Sequence, residues 1–129
     1  MARLIDESKG VADTLFTAAE QEYCRGKRRS TDHMAGRFAA KEAVLKALGT
    51  GIGQRMHWTD VEVLNGRRGR PFIRLHGEVA SWAKRRGLAD LDVTIAHSAG
   101  IAVAHALAVW PDLDDAGDLR ERPFALSPD

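Results

Sequence analysis

Residues 37–53 read Arg-Phe-Ala-Ala-Lys-Glu-Ala-Val-Leu-Lys-Ala-Leu-Gly-Thr-Gly-Ile-Gly, and the reading of this stretch decides the rest of the chain. Through Leu48 it is rich in Ala, Leu, Lys and Glu, with Val44 as its one β-branched residue before the glycines. A helix that stops at Gly49 is expected. At 3.6 residues per turn Phe38, Glu42 and Leu45 fall on one side, and Lys46 lies one turn beyond Glu42. Two readings stay open here. An amphipathic helix with a Glu42–Lys46 i,i+4 pair accounts for the spacing. A carboxylate set beside Phe38 and Leu45 equally suits a divalent cation, for which a hard oxygen is the natural ligand.

Downstream, Gly49-Thr50-Gly51-Ile52-Gly53 follows a helix instead of opening one and lacks a Gly-Lys-Ser/Thr ending, which excludes a P-loop. The glycines turn the chain or let backbone approach a ligand. Asp60–Leu64 and Pro71–Leu75 alternate with period two around Asn65-Gly66 and a basic loop holding Arg67, Arg68 and Arg70, so a hairpin is expected. Residues 77–86 read as a helix burying Val79, Trp82 and Ala83, closed by Gly87. Leu91–Ile95 is a half-buried strand leading to a turn at 97–100. His97 stands at that strand end, where side chains are held rigidly yet stay reachable. In the last strand, 101–109, Ile101, Val103, His105, Leu107 and Val109 share one face and alanines fill the other. The alanine face admits close packing by another element or a second protomer, and His105 is expected buried and hydrogen-bonded.

Upstream, Asp32 is placed to cap the long helix after Ser30 and Thr31. Arg25-Gly26-Lys27-Arg28-Arg29 packs four cations into five positions, either a solvated turn or a contact for an acidic partner. No aromatic residues interleave with it, so nucleic acid is not expected. Thr17 with Glu20 forms a capping box for a short helix over 18–25, and residues 1–12 read as loop or frayed helix.

The 129 residues fit one domain. No apolar run reaches the roughly 18 residues of a membrane span, and no cleavable leader is visible. Cys24 is the single cysteine, which excludes an internal disulfide and suits a cytoplasmic thiol. His33, His57 and His76 fall at no zinc-ligand spacing with it. Net charge is +1, but six carboxylates against two arginines in residues 111–129 leave the first 110 residues at +5. Residues 1–110 are thus a basic domain suited to an acidic partner, and 111–129 an acidic tail expected to be disordered or loosely docked.

Phe38-Ala39-Ala40-Lys41-Glu42-Ala43, Lys46-Ala47 and Gly49-Thr50-Gly51-Ile52-Gly53 resemble the signature helix of the holo-acyl-carrier-protein synthases, the small trimeric phosphopantetheinyl transferases. Asp60–Asn65, Gly69-Arg70-Pro71 and Ile95-Ala96-His97-Ser98 continue the likeness in the family's order over residues 14–110. The resemblance implies an α+β, 4'-phosphopantetheinyl transferase-like fold, an antiparallel sheet with helices packed on one side. It implies transfer of the 4'-phosphopantetheine arm of coenzyme A to a serine of an apo acyl carrier protein in fatty acid or polyketide synthesis. Magnesium and a homotrimer with its pocket between protomers come with it.

Residue by residue, the likeness makes Glu42 a magnesium ligand that helps activate the serine, and Lys46 a contact to a coenzyme A phosphate. It sets Arg37, Phe38 and Lys41 around the nucleotide and closes Gly49, Thr50, Gly51, Arg70 and Pro71 over it. His97 would bond near the diphosphate with Ser98 beside it, and Arg25, Lys27, Arg28 and Arg29 would meet the acidic carrier protein. The family opens on a strand bearing Gly-x-Asp-x-Val, whose aspartate is a second magnesium ligand. This chain begins after that point, and Asp6 and Asp13 lie too near Phe16-Thr17 to replace it. A metal held by one protein carboxylate is the expectation, and a relative that binds coenzyme A or carrier protein without transfer is the alternative.

Overall fold

The computed structural model describes residues 9–50, 53 and 55–111. Among the described residues three helices come first: α1, Lys9–Leu15; α2, Ala18–Arg25; and the 19-residue α3, Ser30–Leu48. A 3-10 turn at Trp58–Asp60 leads into β1, Val61–Asn65, and a second at Arg67–Gly69 joins it to β2, Pro71–Leu75. Then follow α4, Gly77–Arg85, and the strands β3, Asp90–Ser98, and β4, Ile101–Val109. The class is α+β with antiparallel pairing. Among the described residues the strands form two two-stranded ribbons, β1 with β2 and β3 with β4.

Local chemistry sets most of the boundaries. Thr17 and Glu20 form the capping box at the start of α2: Thr17 Oγ1 accepts from Glu20 N at 3.2 Å, and Glu20 Oε1 accepts from Thr17 N at 2.8 Å. Gly49, at φ 82°, closes α3 through bonds from its N–H to Leu45 O and Lys46 O. The helix begins earlier than the expected Asp32 cap. Arg29 occupies the cap position in a left-handed conformation with no side-chain bond, and Asp32 falls in the first turn, where its charge still suits the helix dipole. Residues 9–15 are helical, and over 9–12 loop or frayed helix was expected. Strand β3 runs three residues past Ile95, so His97 and Ser98 sit inside the ladder, and the turn is reduced to Ala99 and Gly100.

Helix α3 is the hub, lying across both ribbons. Its buried Ala40, Val44, Leu45 and Leu48 meet Val61 and Val63 of β1, Val79 of α4 and Val93 of β3. Trp82 is half-buried and donates Nε1 to Leu48 O at 3.2 Å, tying α4 to the end of α3. On β4 the small residues face inward: Ala104, Ala106 and Ala108 pack on the core beneath α3. Side chains of one methyl let a helix lie close to a sheet.

This corrects the expectation for His105, which the strand's two-residue period places outside, exposed among Ile101, Val103, Leu107 and Val109. Ile101 and Leu107 are each 66% exposed. Expectations for the acidic tail from residue 112, for residues 1–8 and for Gly51 fall outside the described residues. Among the described residues no helix is long and apolar enough to cross a membrane.

Candidate active site

Arg37 points from α3 toward the β1–β2 hairpin and is only 4% exposed. Its Nη2 donates to Asn65 Oδ1, and its guanidinium lies over the Tyr23 ring of α2, 4.2 Å from the centroid. Asn65 in turn donates Nδ2 to Gly69 O at 2.8 Å, which fixes the acceptor that Arg37 uses. Arg37 Nε has no partner among the described residues. A buried guanidinium with a free N–H is a ready donor for an anionic oxygen.

His97 approaches the same place from the end of β3. Gly36 permits it, because a Cβ there would stand 3.0 Å from Ile95 Cγ2 and 3.3 Å from His97 Cδ2. The His97 ring meets His33, one turn before Arg37 on α3, at 5.1 Å between centroids, and His33 meets Tyr23 at 6.1 Å. Together Tyr23, His33, Arg37, Asn65, Pro71 and His97 line a cleft of about 130 Å³. Burial holds the His33 pKa below its ordinary value, and the neighbouring His97, Arg37 and Lys27 add to the effect. The Arg37 guanidinium in the cleft and the Lys27 ammonium at its rim put positive charge there.

A second cluster lies across α3. Glu20 and Lys41 are fully buried and paired at 2.9 Å between Oε1 and Nζ. Lys41 also donates to Trp58 O at 3.1 Å and to Val61 O, while Glu20 Oε2 accepts from Val63 N at 2.7 Å. Burial pulls the Lys41 pKa down, and the Glu20 carboxylate opposes this. Thr17 Oγ1 extends the network to Glu62 Oε2 at 2.7 Å, and Glu62 Oε1 meets His76 Nε2 at 2.8 Å.

The residues picked out in the sequence therefore fall into three groups. Arg37, Pro71 and His97 are brought together in the cleft. Glu42 and Lys46 are exposed, and Glu42 forms no hydrogen bond or ion pair among the described residues. Glu42 lies five positions beyond Arg37, which sets them about 140° apart around the helix. Gly49 caps that same helix and Thr50 is half-buried, its Oγ1 donating to Met56 Sδ at 3.3 Å.

The remaining residues are scattered. The resemblance puts Lys41 beside the nucleotide, but its ammonium is enclosed by protein acceptors. Phe38 stacks on Trp58 at 4.9 Å, and Arg70 reaches Asp92 at 3.6 Å. Ser98 is exposed at the end of β3. Arg25, Lys27, Arg28 and Arg29 are all exposed, and Lys27 Nζ stands 4.6 Å over the Tyr23 ring at the cleft's rim.

Sequence reasoning missed Tyr23, His33, Asn65 and Glu20 as members of these clusters. The spacing of His33 to Arg37 was a usable signal, since i and i+4 share a helix face. Tyr23 and Asn65 arrive from other elements and gave none.

The profile of ACPS, the 4'-phosphopantetheinyl transferase superfamily, matches residues 1–104. The chain belongs to this superfamily. Within it, the chain is 46% identical over 103 residues to the holo-[acyl-carrier-protein] synthase of Geobacter sulfurreducens, covering 79% of this chain and 82% of that protein. Among solved structures it is similar to the Helicobacter pylori holo-[acyl-carrier-protein] synthase in complex with coenzyme A, with a TM-score of 0.70 and 27% identity, covering 84% of this chain and 92% of that one. It is likewise similar to the Chronobacterium ammoniagenes ACPS–CoA complex, with a TM-score of 0.73 and 28% identity over 86% and 89% of the two chains. The α+β fold of this superfamily is the fold described above.

Proposed function

We propose that this chain transfers the 4'-phosphopantetheine group of coenzyme A to a serine of an apo acyl carrier protein, serving fatty acid or polyketide synthesis. The names of its superfamily relatives support the reaction. The observation in the chain itself that carries the reading is the cleft, where a buried Arg37 offers an unpartnered N–H beside His97 and Pro71. Such a site suits a phosphate of coenzyme A. His97 and Ser98 at the end of β3 contribute hydrogen bonds, and Phe38, Gly49 to Gly51 and Arg70 border the nucleotide.

In the reaction the serine oxygen attacks the phosphorus that carries pantetheine. The bond from that phosphorus to the bridging oxygen breaks, and its electron pair leaves with 3',5'-adenosine bisphosphate. Glu42 takes up the serine proton, and Lys46, one turn along α3, binds a phosphate oxygen. The exposed, unpartnered Glu42 carboxylate fits a magnesium ion shared with substrate phosphates, because this ion commonly takes one or two carboxylates and keeps several waters. It does not make an all-protein cage: among the described residues no three His, Cys, Asp or Glu side chains gather. Magnesium so held would neutralise charge on the diphosphate.

The separation of Glu42 and Lys46 from the Arg37–His97 cleft around α3 favours a site completed by a neighbouring copy. The exposed Ile101, Val103, Leu107 and Val109 on β4 supply an apolar face for a homotrimer. The exposed cations at 25–29 offer the acidic carrier protein a docking surface at the rim of the cleft. A cytoplasmic location accords with the unpaired, buried Cys24.

Incubating the chain with coenzyme A, magnesium and an apo carrier protein tests the reading. The carrier is expected to gain one phosphopantetheine by mass spectrometry. Calorimetric binding of coenzyme A with no mass gain would identify a relative that binds without transfer.

A further inference from the structure

Lys41 is the only buried lysine among the described residues, and a side chain with no exposure reaches no ligand. Its ammonium has three N–H donors and three acceptors around it, Glu20 Oε1, Trp58 O and Val61 O, so no donor is left over. Each acceptor belongs to a different element: α2, the 3-10 turn before β1, and β1 itself. Both oxygens of Glu20 are engaged in the same way. One takes Thr17 N and Lys41, the other takes Val63 N.

The consequence is mechanical. Turning or sliding α3 would separate Lys41 from all three acceptors at once, and each broken bond would leave a buried polar group unpaired. The Trp58 carbonyl that Lys41 holds belongs to the residue whose ring stacks on Phe38, one helical turn before Glu42. Glu42 is the residue next to Lys41, on the exposed side.

We infer that Glu20 and Lys41 are a positioning pair that locks the rotation of α3, and with it the aim of Glu42 and Lys46 at the coenzyme A diphosphate. The inference rests on the transfer reading for what Glu42 and Lys46 do. The charge pairing alone accounts poorly for the arrangement, since a buried ion pair replaced by apolar groups of similar size often costs nothing, whereas here Thr17 N, Trp58 O, Val61 O and Val63 N would each lose a partner. What an apolar replacement loses is the directional attachment of one helix to three neighbours.

Two variants separate a positioning role from a merely structural one. Lys41→Met strands the Glu20 carboxylate and is expected to lower the melting temperature. Glu20→Gln combined with Lys41→Met removes both charges and is expected to recover the part of that loss due to the stranded carboxylate, with Trp58 O and Val61 O still unpaired. In the double variant kcat is expected to stay down by on the order of 100-fold, because small misplacements of reacting groups cost that much. KM for the carrier protein is expected to hold within about threefold, since the exposed docking cations are untouched.

Coenzyme A affinity in magnesium, read by calorimetry, is expected to fall roughly tenfold in the double variant, and this readout does not depend on turnover. A double variant with wild-type kcat and wild-type coenzyme A affinity would overturn the inference. A wild-type chain that transfers nothing would overturn the functional reading instead, and the calorimetric comparison would still decide whether the pair positions the binding face.

Discussion

His33 and His97, from α3 and β3, meet edge to face with 5.1 Å between ring centroids and 77° between ring planes. Burial, His97, Arg37 and Lys27 all disfavour the charged form of His33, and only Asp32 opposes them. Its folded pKa therefore lies below the ordinary 6.5, so the unfolded chain takes up this proton first as pH falls. The His33 contribution to stability is complete above pH 6.5 and is lost as pH drops below it. Urea midpoints measured from pH 8 to pH 5 are expected to decline below 6.5, and His33→Gln is expected to reduce that slope.

Glu62 acts at lower pH. Burial raises its pKa, but the hydrogen bonds from Thr17 and His76 outweigh that and leave it below the ordinary 4.5. Its contribution is present above pH 4.5 and is lost as pH falls through the lowered value. Glu62→Gln, which keeps the shape of the side chain, is expected to flatten the acid limb of an unfolding curve taken from pH 5 to pH 2.

Glu42→Gln removes a charge from an exposed position without disturbing the core. The expected outcome is loss of phosphopantetheine transfer by at least about 100-fold, with an unchanged melting temperature. Retained turnover would remove Glu42 from the metal and proton-transfer roles.

Leu107→Asp places a carboxylate in the exposed apolar face of β4. In the isolated chain nothing is lost, because the residue already faces solvent. In a trimer packed through this face a buried unpaired charge results, so sedimentation is expected to shift from trimer to monomer. Transfer is expected to disappear with the assembly.

Leu48→Ala probes the hub of the fold. Leu48 is fully buried against the end of α4, and truncation is expected to cost about 2–5 kcal/mol in denaturant unfolding.

Both ends of α2, the C-terminal end of α3 and the β1–β2 hairpin were legible in the sequence, because a capping box, a terminal glycine and a two-residue alternation act over a few neighbouring residues. Thr17, Glu20 and Gly49 do in the structure what their local chemistry prescribes. The signature from Phe38 to Gly53, together with the matches at Asp60–Asn65, Gly69-Arg70-Pro71 and Ile95–Ser98, pointed to the superfamily. Proximity between distant residues was not legible. Tyr23 and Asn65 reach Arg37 only because α2 and β1 pack on α3, and Glu20 adds to its role as a cap that of partner to Lys41 for the same reason.

Which face turns inward also had to wait for the fold. Alternation on β4 told which residues share a side, and the alanine face was expected to admit close packing, but His105 on the opposite face was expected buried as well. Packing chose the alanines, because α3 lies too close for larger groups, and the aliphatic residues were left outside. Lys41 and Glu42 show the same division. Their order in the chain sets them about 100° apart on a helix, but which of the two is buried depends on where the acceptors of α2 and β1 stand. The sequence by itself thus determined most of the elements, the caps at Thr17 and Gly49 and the superfamily, since those are written in short-range patterns. The cleft around Arg37 and His97, the buried Glu20–Lys41 pair and the outward face of β4 were decided only by tertiary structure, which alone brings groups distant in the chain within bonding range.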